Sequence, residues 1–286
     1  MGKSIEREFQ EIFDQDKSFV TLARLLSLLE KKGPQLLKKA EGLLKPSSQS
    51  FRFGVTGPPG AGKSTLIGQL ITQLRKKGFS VGVLAVDPSS PFHHGAILGD
   101  RIRYSDHFVD ENVFIRSLGT RGSLGGLSAS AYLMLRAFDW YGFDIVLIET
   151  VGVGQTELEI MNVADAIAVV LVPESGDSIQ AMKAGLLEIT DLYLINKADR
   201  PGADSLVREL EAVYPQATVL KTVATQSKGL DQLVDLLEQR RQESINHNET
   251  WKLKKEATAL LRFECEKDIF KKVKKIQSVE DFKELF

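Results

Sequence analysis

The chain has 286 residues, of which 43% are hydrophobic and 26% charged, a globular composition that excludes global disorder. Its 37 basic and 38 acidic residues give a formal net charge of −1, so we expect neither a nucleic acid nor a membrane as partner. The single cysteine, Cys265, excludes an intrachain disulfide, and without a signal-peptide core or a transmembrane run in the sequence we expect the cytoplasm.

Residues 1–48 form a first region, in which apolar residues recur at helical spacing. These residues are Ile5, Phe9, Ile12, Phe19, Leu22, Leu25, Leu26 and Leu29. The Gly33-Pro34 pair interrupts the pattern, and a shorter helix is predicted to continue through Leu36, Leu37 and Ala40. We therefore predict an N-terminal helical extension over residues 1–48, and the stretch KPSSQS at 45–50 is interpreted as a linker.

From Phe51 the pattern changes to short apolar strands that alternate with amphipathic helices. The predicted strands are FRFGVT, SVGVLAV, VFIR, DIVLI, AIAVVLV, DLYLI and TVLKT, and helices are predicted over 63–77, 126–140, 204–214 and 229–240. This alternation predicts an α/β domain over residues 49–240, with a mostly parallel central sheet flanked by helices. Ligands of such sheets bind beyond the C-terminal ends of the strands.

After residue 240 no strand is visible, and residues 241–286 are predicted to form a C-terminal helical tail. Apolar residues recur there at every fourth position and form what we call the apolar row: Leu253, Ala257, Leu261, Cys265, Ile269 and Val273. Two interpretations stay open. The row packs back on the chain's own domain, or it belongs to an arm that pairs with a second subunit.

The sequence GPPGAGKS at 57–64 follows a predicted strand and begins a predicted helix, as the P-loop pattern G-x-x-x-x-G-K-[ST] requires. In this motif backbone N–H groups and the helix N-terminus face the phosphates. Lys63 is expected to reach the β- and γ-phosphates and the Ser64 hydroxyl to bind Mg²⁺. The candidate phosphate-binding residues are Gly57, Pro58, Pro59, Gly60, Ala61, Gly62, Lys63, Ser64 and Thr65.

The sequence NKAD closes the predicted strand DLYLI and has the N-K-x-D form by which GTPases recognise guanine. The Asp199 carboxylate can accept hydrogen bonds from N1–H and the exocyclic amine of guanine, a donor pair that adenine lacks. After the next strand, the TVAT sequence stands where GTPases present a backbone N–H to the guanine O6. The candidate base-binding residues are Asn196, Lys197, Asp199, Val223, Ala224 and Thr225.

Three acidic residues are candidate ligands for a divalent cation. Glu149, in ETVG, occupies the position of the aspartate in the GTPase D-x-x-G motif, where the glycine, here Gly152, meets the γ-phosphate. Asp87 ends the strand after the P-loop helix, and Asp100 lies on a predicted switch loop, where a helix cap is its alternative role. The predicted Mg²⁺ ligands are Ser64, Asp87, Asp100 and Glu149. The predicted catalytic residues are Lys63, Asp87 and Glu149.

The set GPPGAGKS, VDPSSPF, GAILGDRIR, FIRSLGTRG, ETVGVGQTE, ESGDSIQAMKAG and NKAD resembles the MeaB/ArgK family of P-loop GTPases over about residues 51–235. The resemblance implies a SIMIBI-class G domain, bound GTP or GDP with Mg²⁺, and a glutamate at position 149. It also implies a G-protein chaperone of adenosylcobalamin-dependent methylmalonyl-CoA mutase, which gates cofactor loading and protects the mutase. A homodimer is implied as well, although the tail after residue 240 is short for the family's dimerisation arm.

Other functions stay open beside a Mg²⁺-dependent GTPase. The family's older label suggests a nucleotide-dependent kinase linked to amino-acid transport, but no separate acceptor motif is visible. A nickel-insertion GTPase predicts Cys and His ligands; the chain has one cysteine and four histidines, of which His93-His94 stand where the family usually has small residues. An assembly module that binds nucleotide without useful turnover is the third alternative.

Overall fold

The computed structural model describes residues 5–13, 15–32, 43, 49–87, 104–119, 126–150, 163–174, 190–245 and 250–273. The elements in these residues are α1 (Ile5–Phe13), α2 (Phe19–Lys32), β1 (Phe51–Thr56), α3 (Lys63–Lys76), β2 (Val81–Asp87), β3 (Val113–Gly119), α4 (Gly126–Tyr141), β4 (Ile145–Thr150), β5 (Ala166–Leu171), β6 (Leu192–Ile195), α5 (Ala203–Val213), β7 (Thr218–Lys221), α6 (Leu230–Ile245) and α7 (Thr250–Val273). Short 3₁₀ turns lie at Ser105–His107 and Ala224–Gln226.

The strands form one sheet in the order β3-β2-β4-β1-β5-β6-β7. Every pairing among these described strands is parallel. The predicted α/β fold is therefore confirmed, and each of the seven predicted strands is present with ends shifted by a few residues. β3 is longer than predicted because it pairs with β2 along its whole length, from Val81↔Val113 to Asp87↔Gly119.

Helices cover both faces of the sheet. α3 and α6 share one apolar cluster with side chains of β1, β2, β4, β5 and β6. α4 lies on the opposite face together with α1 and α2, and α5 packs on β5 and β6. Because the central strands are buried on both faces, they read as nearly continuous apolar runs rather than alternating ones; all six residues of β4 are buried.

The N-terminal helices α1 and α2 belong to the same apolar core as α4. Phe9 and Leu22, two residues of the predicted helical pattern, are buried. The Phe19 ring meets the Phe114 ring of β3 edge-on with centroids 5.2 Å apart. The helical pattern predicted between Ile5 and Leu29 is thus confirmed as α1 and α2, whereas the helix predicted through Leu36, Leu37 and Ala40 lies outside the described residues. The division of the chain into three domains stays a prediction.

The C-terminal helix α7 packs on α4, but through a different face from the predicted apolar row. Glu256 is buried, and its carboxylate accepts hydrogen bonds from Nε and Nη2 of Arg136 at 2.5 and 2.8 Å. The large apolar residues Leu253, Leu261 and Ile269 of the row are exposed by 51%, 67% and 59%. The interpretation in which the apolar row packs on its own domain is wrong, because α7 packs on α4 through the face that carries Glu256.

In the part of the chain that the structure describes, no helix is long and apolar enough to span a membrane.

Candidate functional site

The P-loop connects β1 to α3 through a tight backbone path. Gly57 has φ 138°, and a Cβ placed on it would lie 2.2 Å from the carbonyl oxygen of Val170 in β5. Gly62, in the left-handed conformation with φ 86°, precedes α3, and no side chain caps this helix end. The first N–H groups of a helix have no partner within the helix. The N-terminus of α3 therefore offers donors to an anionic ligand.

The close approach of Gly57 to β5 gives a stability prediction. We expect Gly57→Ala to lower the free energy of unfolding by at least about 3 kcal/mol, because the new methyl group meets a backbone oxygen and the residue must keep an unfavourable φ. Gly60→Ala is the matched control: Gly60 also has positive φ, but a Cβ there meets nothing within 4 Å. It should cost about 1–2 kcal/mol. Urea unfolding monitored by circular dichroism measures both, and equal costs would contradict the expectation.

Lys63, the first residue of α3, is folded back on the P-loop. The residue is 7% exposed, and its Nζ donates hydrogen bonds to the carbonyl oxygens of Gly57 at 2.6 Å and Pro58 at 3.0 Å. These bonds keep the ammonium group at the mouth of the loop, where the predicted phosphates would bind. An anionic oxygen is a stronger partner than a neutral carbonyl, so a bound phosphate can draw Lys63 away from its present contacts.

Glu149 lies beside the P-loop because its strand, β4, pairs with β1. Glu149 is 5% exposed, and both of its carboxylate oxygens accept hydrogen bonds. The Ser64 hydroxyl donates to Oε1 at 2.7 Å, and the Tyr104 hydroxyl donates to Oε2 at 2.5 Å. The predicted pair of magnesium ligands, Ser64 and Glu149, is therefore in direct contact in this structure.

Of the other two predicted cation ligands, the structure describes the backbone position of Asp87 only. Asp87 is the last residue of β2, and β2 pairs with β4 so that Ala85 stands opposite Glu149. Its backbone is thus at the same edge of the sheet. Asp100 and Gly152 lie outside the described residues. No group of three or more His, Cys, Asp or Glu residues suited to a metal occurs among the residues described.

The donor set that is present fits Mg²⁺. A hydroxyl and a carboxylate oxygen are hard ligands, and Mg²⁺ is usually held by one or two carboxylates, substrate phosphates and several waters rather than by a full protein cage. Ser64 and Glu149 stand 2.7 Å apart at the end of the P-loop, which is where such phosphates would lie. In a nucleotide complex these two residues would hold the cation, with the Ser64 hydroxyl acting as ligand instead of donor.

Asn196 joins the three predicted nucleotide-binding segments. It is buried at the end of β6, and its Nδ2 donates to the carbonyl oxygen of Ala61 in the P-loop at 2.8 Å. Its Oδ1 accepts from the backbone N–H of Ala224 at 3.1 Å and from the Thr222 hydroxyl at 3.3 Å. A single amide side chain thereby fixes the NKAD and TVAT loops against the phosphate-binding loop.

The remaining base-side candidates lie around Asn196. Lys197 has φ 55° and its Nζ donates to the carbonyl oxygen of Gly60 at 2.8 Å, so its stem crosses towards the P-loop. Asp199 is exposed, whereas Val223 and Ala224 are buried. Thr225 is exposed within the 3₁₀ turn. The structure brings these residues together; their contacts with guanine stay a prediction.

Tyr104 is a residue of this site that the sequence did not reveal. It is 45 positions from Glu149 along the chain and belongs to no nucleotide-binding pattern, so only the folded structure shows their hydrogen bond. Together with Ser64 and His107 it also lines a cavity of about 500 Å³ beside α3.

Comparison with known proteins agrees with this geometry. The model of the family described as methylmalonyl-CoA mutase-associated GTPase MeaB matches residues 22–278. A Pyrococcus abyssi protein named as a GTPase is 45% identical over 234 residues, which are 77% of this chain and 71% of that protein. GTPase ArgK of Escherichia coli is 37% identical over 232 residues, 74% of this chain and 69% of ArgK.

Among solved structures, that of a LAO/AO transport system kinase matches with a TM-score of 0.69 and 24% identity, covering 94% of this chain and 86% of that one. At this identity the likeness concerns the fold, which is that of a P-loop GTPase. The family match covers most of the chain, and these two relatives are named as GTPases. This chain therefore belongs to the MeaB family of P-loop GTPases, the family that its motifs indicate.

Proposed function

We propose that this GTPase is Mg²⁺-dependent and acts as a G-protein chaperone for an adenosylcobalamin-dependent acyl-CoA mutase of the methylmalonyl-CoA type. Its nucleotide cycle would gate loading of the cobalamin cofactor into the mutase and protect the loaded enzyme. The observation that carries this proposal is the match over residues 22–278 to a family described by its association with that mutase. The contacts of the P-loop and of Asn196 support the nucleotide part.

In the proposed reaction, GTP and water give GDP and phosphate. The oxygen of water forms a bond to the γ-phosphorus, and the bond to the bridging oxygen breaks so that GDP leaves. The N-terminus of α3 and Lys63 would donate to the phosphate oxygens on which charge is spread, while Glu149 and Ser64 orient their oxygens towards the cation. When bound, Mg²⁺ supplies further neutralisation of that charge. Asp199 would select guanine.

Partner stimulation is part of the proposal. The motifs supply no arginine finger, which in other GTPases raises the turnover by 10³- to 10⁵-fold, so we expect slow intrinsic hydrolysis. Segments near Asp87 and Glu149 would change contacts when the γ-phosphate leaves, and the mutase would read that change. Most residues of the two predicted switch segments, around 87–105 and 150–160, lie outside the described residues.

A binding and turnover experiment tests the mutase role. The purified protein is immobilised with GDP or with a non-hydrolysable GTP analogue and exposed to purified methylmalonyl-CoA mutase; phosphate release from GTP is then measured with and without the mutase. We expect the two nucleotide forms to retain different amounts of mutase, and the mutase to accelerate phosphate release. Lys63→Ala supplies the background rate. If neither nucleotide form retains the mutase and the mutase does not accelerate phosphate release, the proposal is contradicted.

The same experiment separates the alternative functions. With GTP labelled at the γ-phosphate, label found on an acceptor molecule instead of in free phosphate would indicate a kinase. Stoichiometric nickel binding that is lost in a His93→Ala/His94→Ala variant would indicate a nickel-insertion GTPase. GTP binding without any phosphate release, in the presence or absence of mutase, would indicate an assembly module.

A homodimer formed through α7 is a second part of the proposal. The exposed residues Leu253, Leu261 and Ile269 follow one another at intervals of eight residues, which corresponds to about 12 Å along a helix. Large apolar side chains in such a row are usually covered by another protein surface. The same row on a second copy, related by a two-fold axis, would bury both sets together.

Light scattering during size-exclusion chromatography tests the dimer. We expect the unaltered protein to have twice the monomer mass and Leu261→Glu to have the monomer mass, because the substitution places a charge in the middle of the paired row. Val213→Glu is the matched control, since Val213 is 55% exposed on α5, away from this row. A monomer mass for the unaltered protein, or a dimer that survives Leu261→Glu, would contradict pairing through α7.

We propose the cytoplasm as the compartment in which this GTPase works. The single cysteine, Cys265, is a free thiol exposed on α7, and exposed thiols persist in a reducing compartment. Fractionation of the cells that produce the protein tests the location, and recovery in an extracytoplasmic fraction would contradict it.

A further inference from the structure

The two oxygens of the Glu149 carboxylate have different partners. Oε1 faces Ser64 of the P-loop helix at 2.7 Å, whereas Oε2 is held by the hydroxyl of Tyr104 at 2.5 Å. Tyr104 is 1% exposed, so its hydroxyl meets the carboxylate in a site from which bulk water is largely excluded. Hydrogen bonds to an ionised group in such surroundings are among the stronger ones in proteins.

Tyr104 is itself anchored to the P-loop helix. Its ring belongs to the apolar cluster that contains Leu66 and Leu70 of α3. The 3₁₀ turn that follows it is closed by a hydrogen bond from the N–H of His107 to the carbonyl oxygen of Tyr104 at 3.0 Å. The His107 ring is hydrogen-bonded through Nε2 to the carbonyl oxygen of Gly68, 2.9 Å away. α3 therefore positions both hydroxyl groups that hold Glu149.

A glutamate needs this second contact more than an aspartate would. Its additional methylene adds a rotatable bond, so an unsupported carboxylate can turn its oxygens away from the P-loop. A hydrogen bond to Oε2 fixes the plane of the carboxylate and thereby the direction of Oε1. Outer partners of this kind commonly change the metal affinity of a site by 10- to 100-fold.

We propose that Tyr104 is a positioning residue of the magnesium site. Its hydroxyl holds Oε2 of Glu149 and thereby keeps Oε1 directed at Ser64 and the cation. This inference rests on the proposed Mg²⁺-dependent binding of guanine nucleotide and adds to it a specific side chain, supplied by the segment that leads into β3.

The variant Tyr104→Phe tests the proposal, because it removes the hydroxyl and keeps the ring. Affinity for a non-hydrolysable GTP analogue is measured by calorimetry over a series of Mg²⁺ concentrations and in EDTA. The affinity for the analogue is expected to increase with Mg²⁺ concentration. We expect the concentration that gives half of this increase to be about 10-fold higher or more in Tyr104→Phe, while the affinity in EDTA stays as in the unaltered protein. Tyr132→Phe, a buried tyrosine of α4 on the opposite face of the sheet, is the matched control and should leave both quantities unchanged.

A double-mutant cycle keeps the test decisive if Tyr104→Phe also lowers stability. Glu149→Asp withdraws the carboxylate from Tyr104. In the Glu149→Asp background, Tyr104→Phe should therefore raise the required Mg²⁺ concentration by a smaller factor than it does in the unaltered protein. Additive effects on the Mg²⁺ dependence, or an unchanged dependence in Tyr104→Phe, would overturn the positioning role. Failure of the unaltered protein to bind the GTP analogue would instead overturn the proposed function.

Discussion

Replacing Lys63 with alanine is expected to reduce GTP hydrolysis by about 100- to 1,000-fold, the loss typical of removing one donor that stabilises transition-state charge. Lys63 is the only side chain of the P-loop motif GPPGAGKS that carries a positive charge. Its ammonium already stands at the loop mouth, held by the carbonyl oxygens of Gly57 and Pro58. In the reaction it would meet the oxygens between the β- and γ-phosphates, where negative charge shifts as the bond breaks.

Lys76→Ala is the control for this experiment. Lys76 ends the same helix, α3, and is exposed to solvent, so the substitution removes a charge without touching the loop. Phosphate release at saturating GTP compares the three proteins, and circular dichroism verifies that each is folded. Turnover that persists in Lys63→Ala at the level of Lys76→Ala would place the phosphate site elsewhere.

Replacing Asp199 with asparagine is expected to change which base the protein binds. The variant should bind GTP roughly 30-fold less tightly or worse, because it lacks the carboxylate that we expect to accept hydrogen bonds from N1–H and the exocyclic amine. Xanthosine triphosphate should gain affinity, since its 2-oxo group can accept a hydrogen bond from the new amide. Asp199 is exposed and lies two residues after Lys197, whose Nζ contacts the P-loop at Gly60. Its carboxylate is therefore accessible to a base bound beside the P-loop.

Competition of both triphosphates against a fluorescent guanine nucleotide measures this switch. Asp204→Asn is the matched control: Asp204 is an exposed acid at the start of α5, where it pairs with Lys221 at 2.9 Å. It should leave the preference for GTP unchanged. If Asp199→Asn behaves like Asp204→Asn, Asp199 does not recognise the base, and the guanine-binding residues must be assigned again.

Local patterns in the sequence were sufficient for much of the fold. The strands β1 and β4 appear as the apolar runs FRFGVT and DIVLI, because parallel strands buried on both faces need an apolar residue at nearly every position. The P-loop was recognisable for a related reason. Its glycines have positive φ, which other residues rarely adopt, and at Gly57 an added Cβ would also meet Val170. Such requirements act on neighbouring residues and therefore leave short, readable motifs.

The C-terminal helix shows what a local pattern leaves open. The sequence of α7 contains both the apolar row and Glu256, but only the packing on α4 determines which side of the helix faces the core. A buried charge is normally an unlikely choice for an interior position. The buried carboxylate of Glu256 is tolerated because it pairs with Arg136, which lies on another helix, 120 residues away along the chain.

The sequence alone thus determined the parallel sheet and predicted the phosphate-binding loop and the guanine-recognition motif, since each depends on residues that are close together in the chain. Only the tertiary structure placed Tyr104 against Glu149 and Asn196 against Ala61, and only it turned Leu253, Leu261 and Ile269 outward. These contacts join segments that are distant in sequence. They arise from the order of the strands and the packing of the helices, which no single stretch of residues specifies.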